Sequence, residues 1–178
     1  VKLRIGDSAP QFEVTARQGG KLRSLGLADF AGQKNVVLFF YPRDFTTVCT
    51  REACGFRDMY EDLIAQDTEL IGVSADDAAS HERFAREHHL AYPLVADPRR
   101  ALAKLYGATS LLSEAFGVTA RVTFVIDKRG RIAGIFDSRF SAREHLEGVQ
   151  RTLAAQRVGH GHAGGHTPQP DRASCPDA

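Results

Sequence analysis

The sequence predicts an α/β fold, a central mixed sheet flanked by helices, and three observations predict it. Apolar, β-rich runs alternate with segments of helical period along most of the chain. The run Val36 to Tyr41 is apolar at every position, as a central strand covered on both faces requires. Two short runs near the amino terminus flank Gln18-Gly19-Gly20, whose glycines accept the positive φ of a tight hairpin turn.

Taken in order, Phe12 to Thr15 and Lys21 to Ser24 read as the strands of an amino-terminal hairpin extension. Leu27 to Phe30 suits one helical turn before Gly32. Pro42 ends the strand Val36 to Tyr41, because it lacks the backbone donor a ladder needs. From Thr47 to Gln66 the period becomes helical, with Phe56, Met59, Tyr60, Leu63 and Ile64 at i, i+3, i+4, i+7 and i+8 on one stripe. Glu69 to Ser74 then reads as a strand, Asp77 to His89 as a helix, Tyr92 to Ala96 as a strand and Arg99 to Tyr106 as a helix. Gly107 to Ala120 fits no single pattern and is expected as an insertion or a loop over the site. Val122 to Asp127 and Arg131 to Asp137 form a hairpin about Lys128-Arg129-Gly130. Ala142 to Gln156 is the last helix, with Leu146, Val149 and Leu153 on its buried stripe.

A chain of 178 residues is long enough for one sizeable core, so one domain is expected over 1–156. Residues 157–178 are rich in Gly, His and Pro, cannot bury much surface, and are expected as a flexible tail. With 23 basic against 22 acidic residues, net charge gives no reason to expect a nucleic-acid partner. No apolar run approaches the roughly 18 to 20 residues that span a bilayer, so no membrane partner is expected. The opening VKLRIGDSAPQF has no signal-peptide core, and a cytoplasmic location is expected. His81, His88 and His89 are expected on a solvated helix face, no metal motif is present in the sequence, and no cofactor is called for.

Three cysteines make too few links for a disulfide framework and read as reactive thiols. Pro42, Thr46 and Cys49 stand at P-x-x-x-T-x-x-C spacing, where the strand hands over to the helix. With Thr46 as N-cap, Cys49 occupies the third helical position, among backbone N–H groups that lack intrahelical acceptors. A helix start, with an arginine nearby, favours thiolate over thiol, and the thiolate is the nucleophile. The Thr46 hydroxyl is placed to donate to that thiolate or to a bound oxygen substrate. Cys49 as an inert core residue is the plainer alternative, and the helix-start context argues against it. Cys54 follows five residues on, which on a continuous helix puts the two Cα atoms about 8 to 9 Å apart, beyond the roughly 7 Å limit for a disulfide. The two pair only if the first turns unwind; otherwise Cys54 is a core residue.

The stretch YPRDFTTVCTREACGFRD resembles the active-site motif of peroxiredoxins, in particular the bacterioferritin-comigratory or Q-type group of the AhpC/TSA superfamily. The likeness extends over about residues 3–153 and includes GDSAPQFEV, DLIAQDTELIGVSAD and ARVTFVIDKRGRI. It implies a thioredoxin fold, with Cys49 as peroxidatic cysteine, Cys54 as resolving cysteine, Arg121 orienting peroxide, and Pro42 and Thr46 at the two remaining active-site positions. Tyr41 and Glu52 match flanking positions. Read without the resemblance, the plainer and less favoured alternative for Arg121 is a surface arginine on a strand, paired with Asp137 or Glu114. The implied activity is reduction of hydrogen peroxide and organic hydroperoxides through a Cys49 sulfenic acid and a Cys49–Cys54 disulfide, recycled by thioredoxin or a similar thiol reductant. The implied assembly is a monomer or homodimer. A peroxide-responsive sensor or interaction protein using the same thiols is the alternative, and the C-x-x-x-x-C spacing counts against a disulfide oxidoreductase. Cys175 and the tail histidines lie outside the resemblance and are expected to be dispensable for turnover.

Overall fold

A computed structural model describes residues 2–158. Strands β1 (Glu13–Gln18) and β2 (Lys21–Gly26) form the expected hairpin, with Gly19 and Gly20 at φ of 56° and 77° in its turn. A 3-10 turn over Leu27–Phe30 leads to β3 (Asn35–Phe40), followed by α1 (Thr47–Ala65), β4 (Thr68–Ser74), α2 (Ala78–Glu87) and β5 (Leu94–Ala96). Helices α3 (Ala101–Leu105) and α4 (Leu111–Ala115) precede the hairpin β6 (Val122–Ile126) and β7 (Ile132–Phe136), and α5 (Ala142–Val158) closes the described chain. The unassigned stretch from 107 to 120 therefore contains one short helix, started by a reciprocal cap between Ser110 and Ser113. The domain boundary expected at 156 falls inside α5, and Cys175 with the rest of the expected tail lies outside the described residues.

The seven strands form one mixed sheet in the order β2-β1-β5-β4-β3-β6-β7. Strand β3 pairs parallel with β4 and antiparallel with β6, so the motif-bearing strand lies inside the sheet. The amino-terminal hairpin continues the same sheet, because β1 pairs antiparallel with β5 at Ala16–Val95 and Arg17–Leu94. This is a thioredoxin-type sheet with added strands, as the alternation of elements predicts.

Successive residues of β3 point to opposite faces and supply two separate cores. Val36, Leu38 and Phe40 pack with Ile71, Phe124 and Tyr106 on one side. Val37 and Phe39 pack with Phe56, Leu63, Tyr92 and Val149 on the other, beneath α1, α2 and α5. Each fully buried phenylalanine here contributes about 1.5 to 3 kcal/mol through lost apolar exposure. Ile64, assigned to the buried stripe of α1 by its spacing, is 48% exposed at the edge of that stripe.

Two of the three helix histidines are buried, against expectation. His81 Nδ1 lies 2.9 Å from Asp44 Oδ2 and Nε2 lies 3.1 Å from the Val95 carbonyl. The ring of His88 stacks edge-on against Phe84. The polar look of this helix hid its inward face: a histidine carries enough ring surface to line a core when its nitrogens find partners.

Candidate active site

The site is assembled where β3 ends. Tyr41 is the last buried residue of the apolar run, and its hydroxyl donates to Asp44 Oδ1 at 2.7 Å. Asp44 is the hub of the loop: its Oδ2 also accepts from Ser80 Oγ at 2.7 Å and faces His81, and its backbone N–H donates to Asp76 Oδ2 at 2.8 Å. These bonds pin residues 42–46 to α2 and to the end of β4. The pinning matters because Phe45 sits at φ 61°, a left-handed conformation that a bulky residue adopts only when its surroundings impose it. The Phe45 ring is held edge-on against Phe84, with the Arg83 guanidinium 5.8 Å above it.

Thr46 is the N-cap residue of α1, with extended φ and ψ of −84° and 147°, as its spacing predicts. Its hydroxyl makes no cap bond and donates to the Arg43 carbonyl at 3.1 Å, so it serves the loop rather than the helix or the sulfur. Cys49 lies at the third helical position, is 1% exposed, and is a free cysteine. Cys54 lies on the same unbroken helix and is also buried, so the two are not joined to each other.

Arg121 reaches Cys49 from the residue just before β6. Its Nη2 donates to Cys49 Sγ at 3.1 Å, its Nε donates to the Arg139 carbonyl at 3.2 Å, and its Nη1 donates to Glu52 Oε2. Arg121 is 5% exposed and pairs with neither Asp137 nor Glu114, which excludes the surface-arginine alternative. Glu52 follows Cys49 by three residues, on the same face of α1, and is wholly buried. Burial raises its pKa from 4.5 to about 7, against the opposing pull of Arg121 and Thr123.

Two further residues of this cluster, His145 and Thr123, escape the spacing arguments, as does Asp44 in the loop before it. His145, in the first turn of α5, places Nδ1 3.4 Å from Glu52 Oε1 and 2.8 Å from Thr123 Oγ1. Its Nε2 lies 2.8 Å from the Ser138 carbonyl. Sequence signals for them exist: Thr123 follows Arg121 by two, hence on one face of a strand, and His145 occupies the i position of the buried stripe His145, Val149, Leu153. Asp44 carries no comparable signal.

A cavity of about 630 Å³ adjoins this cluster at Arg121 and is lined also by Pro42, Leu112, Phe116, Val118 and Phe140. Phe116 and Phe140 stand 72% and 87% exposed at its rim. A second cavity, of about 470 Å³, lies at the start of β3 between Asn35, Gln66, Lys128 and Arg157, and contains no cysteine. No group of three or more metal-ligating side chains occurs among the described residues, and no helix there is long and apolar enough to cross a membrane.

A thioredoxin-type sheet presenting an arginine-paired cysteine at a helix start defines the class: a thiol-based redox protein. Comparison with known proteins narrows the class. The family model described as "AhpC/TSA family" matches residues 5–135. "Peroxiredoxin Q, chloroplastic" of Triticum aestivum is 38% identical over 146 residues, covering 82% of this chain and 64% of its own length. The protein of the same name from Populus jackii is 35% identical over 153 residues, covering 85% and 68%. Among solved structures, peroxidoxin BcpB from Mycobacterium tuberculosis superimposes with TM-score 0.75 at 32% identity, over 87% of this chain and 99% of that one. AhpC from Enterococcus faecalis gives 0.78 at 28% identity, over 94% and 100%. The chain belongs to the AhpC/TSA family, as a peroxiredoxin of the bacterioferritin-comigratory or Q-type group.

Proposed function

We propose that the protein is a thiol-dependent peroxidase in which Cys49 is the attacking cysteine. The observation that carries this reading is the 3.1 Å contact of Arg121 Nη2 with Cys49 Sγ, at a helix start and beside a cavity that Arg121 itself lines. Three helical N–H groups and a guanidinium form a local field that favours a sulfur anion. The same guanidinium is in place to hold a peroxide oxygen as charge develops on it.

In the proposed cycle the Cys49 thiolate attacks the terminal oxygen of a hydroperoxide. The O–O bond breaks, the sulfur is oxidised to sulfenic acid, and the leaving alkoxide or hydroxide takes up a proton to give alcohol or water. Once Cys54, which is not a free cysteine in this structure, is reduced to a thiol, it attacks the sulfenic sulfur, releasing water and leaving a disulfide, and a thioredoxin-like dithiol reduces that disulfide by exchange. Because Cys49 and Cys54 share one helix, this second step requires the first turns of α1 to unwind. The apolar walls supplied by Leu112, Phe116 and Phe140 suit organic hydroperoxides as well as hydrogen peroxide. Pro42 lines the cavity, and Thr46 supports the loop through the Arg43 carbonyl. A cytoplasmic setting with a thioredoxin-like donor accompanies this reading, and cell fractionation tests it. The assembly is taken as monomer or homodimer, to be read from sedimentation.

The test is peptide mapping before and after one equivalent of hydrogen peroxide, together with turnover in the presence of thioredoxin and its reductase. A Cys49–Cys54 link and steady peroxide consumption are expected, and Cys54→Ser should still form sulfenic acid but lose turnover. A link of Cys49 to Cys175, or a Cys54–Cys175 link present before peroxide, removes Cys54 from the resolving role. A single stoichiometric oxidation without turnover favours a sensor.

A further inference from the structure

His145 and Thr123 have no part in the cycle above, yet both are fully buried and both converge on Glu52. Their hydrogen bonds constrain where protons lie. The Ser138 carbonyl accepts only, so His145 Nε2 at 2.8 Å carries a hydrogen. A neutral ring then leaves a single bare lone pair on Nδ1, which lies 2.8 Å from the Thr123 hydroxyl. The same bare nitrogen faces Glu52 Oε1 at 3.4 Å, and that oxygen has no hydrogen-bond partner although it is wholly buried. A carboxylate oxygen and an imidazole lone pair repel at this distance, and a buried acceptor left unpaired is costly. One proton between them removes both penalties, whether it sits on Oε1 or on Nδ1, and it occupies the one lone pair of Nδ1, so the Thr123 hydroxyl directs its own hydrogen to the Glu52 carboxyl.

We propose that His145, supported by Thr123, is a positioning residue of the peroxide site: it holds a shared proton against the second oxygen of Glu52, and so keeps Arg121 seated against Cys49 Sγ. The inference rests on the reading of Cys49 as the peroxide-reactive cysteine. The path is short and entirely buried: Glu52 Oε2 accepts from one Arg121 nitrogen while another contacts the sulfur. Burial holds the Glu52 carboxyl up at about 7 and pushes His145 below its ordinary value, which is what two groups sharing one proton require. The charged and titratable groups around the pair are Cys49 from α1, Arg121 beside β6, Tyr92 near Glu52, Asp137 after β7 and Glu144 beside His145.

The test compares two rates at Cys49 in reduced, folded protein across pH. Oxidation by hydrogen peroxide needs both thiolate and a seated Arg121, whereas alkylation by iodoacetamide needs only thiolate. His145→Leu is expected to lower the oxidation rate relative to alkylation by about tenfold, the size of one charge-assisted hydrogen bond at a reacting group. It is also expected to move the midpoint of the oxidation pH profile. His145→Gln, which restores polar partners, should recover most of the rate, and Thr123→Val should reproduce part of the loss. Should His145→Leu fail to fold, His145→Gln and Thr123→Val carry the comparison, since both keep the packing. Wild-type rates and pH profiles in the folded variants overturn the inference. An inert Cys49 in the wild type overturns the peroxidase reading and the inference with it, a result distinguishable from the first.

Discussion

Replacing Glu52 with glutamine should make the opening of the first turns of α1 insensitive to pH, where the wild-type protein is strongly sensitive. The wound helix holds Glu52 in a buried site with a pKa near 7, and unwinding returns it to water, where its value is 4.5. Between these values the wound form holds a proton that the unwound form releases. Its stabilisation is therefore complete below about 4.5 and is lost as the pH rises through about 7. The full difference corresponds to about 3 kcal/mol, of which about 2.5 kcal/mol disappears between about pH 5 and about pH 8. Opening of residues 47–54 should thus be roughly 50 to 100 times more frequent at the higher pH. His145 stays on α5 during this opening, and because its Nδ1 faces Glu52 in the wound form the midpoint near 7 is that of the pair. The assay is hydrogen exchange of reduced protein read by mass spectrometry, corrected for the base catalysis of exchange itself. Protection that is constant across this range in the wild type, or that changes equally in Glu52→Gln, refutes the reasoning.

Other expectations concern the supports of the site. His81→Phe leaves the Asp44 carboxylate buried without its facing imidazole and should cost about 3 kcal/mol in urea unfolding; an unchanged midpoint shows that the loop is held by other means. Gly148→Ala places a Cβ 2.3 Å from Phe136 Cε1, and a clash with a packed ring should lower Tm by about 5 °C in calorimetry. Truncation after Val158 should leave peroxide turnover unchanged, and a large loss would give Cys175 or the tail histidines a role.

The sheet was legible because its strands are continuous apolar runs, and Val36 to Tyr41 announced a central strand directly. The cysteine and its cap were legible because a helix start is a local event, read from Pro42, Thr46 and the stripe beginning at Phe56. Arg121 was reached through resemblance alone; nothing in its neighbours says that a residue 72 positions away is its partner. The buried polar residues were the least legible. His81 looked solvated because it lies between Ser80 and Glu82, and only the fold shows Asp44 waiting beneath it. His145 and Thr123 were missed for the same reason: a polar side chain announces burial only through its partner, and the partners come from other elements.

Gly55 marks where α1 divides. A Cβ there would lie 2.3 Å from Leu146 Cδ1, so α1 and α5 touch with no room for a side chain between them, immediately after Cys54. Beyond that seam Phe56, Tyr60 and Leu63 are bedded in the core, while ahead of it the Tyr92 hydroxyl clasps the Ala53 carbonyl at 2.8 Å. The helix is in effect a fixed post, from Gly55 onward, carrying an arm of residues 47–54. Fully extended, such an arm spans about 25 Å, several times the roughly 5.5 Å between the Cα atoms of bridged cysteines. Cys54 sits at its hinge and Cys49 nearer its tip. Ring closure needs this arm to unwind and draw Cys49 and Ala53 out of the core, between a pinned loop at one end and the post at the other, while the post itself stays bedded.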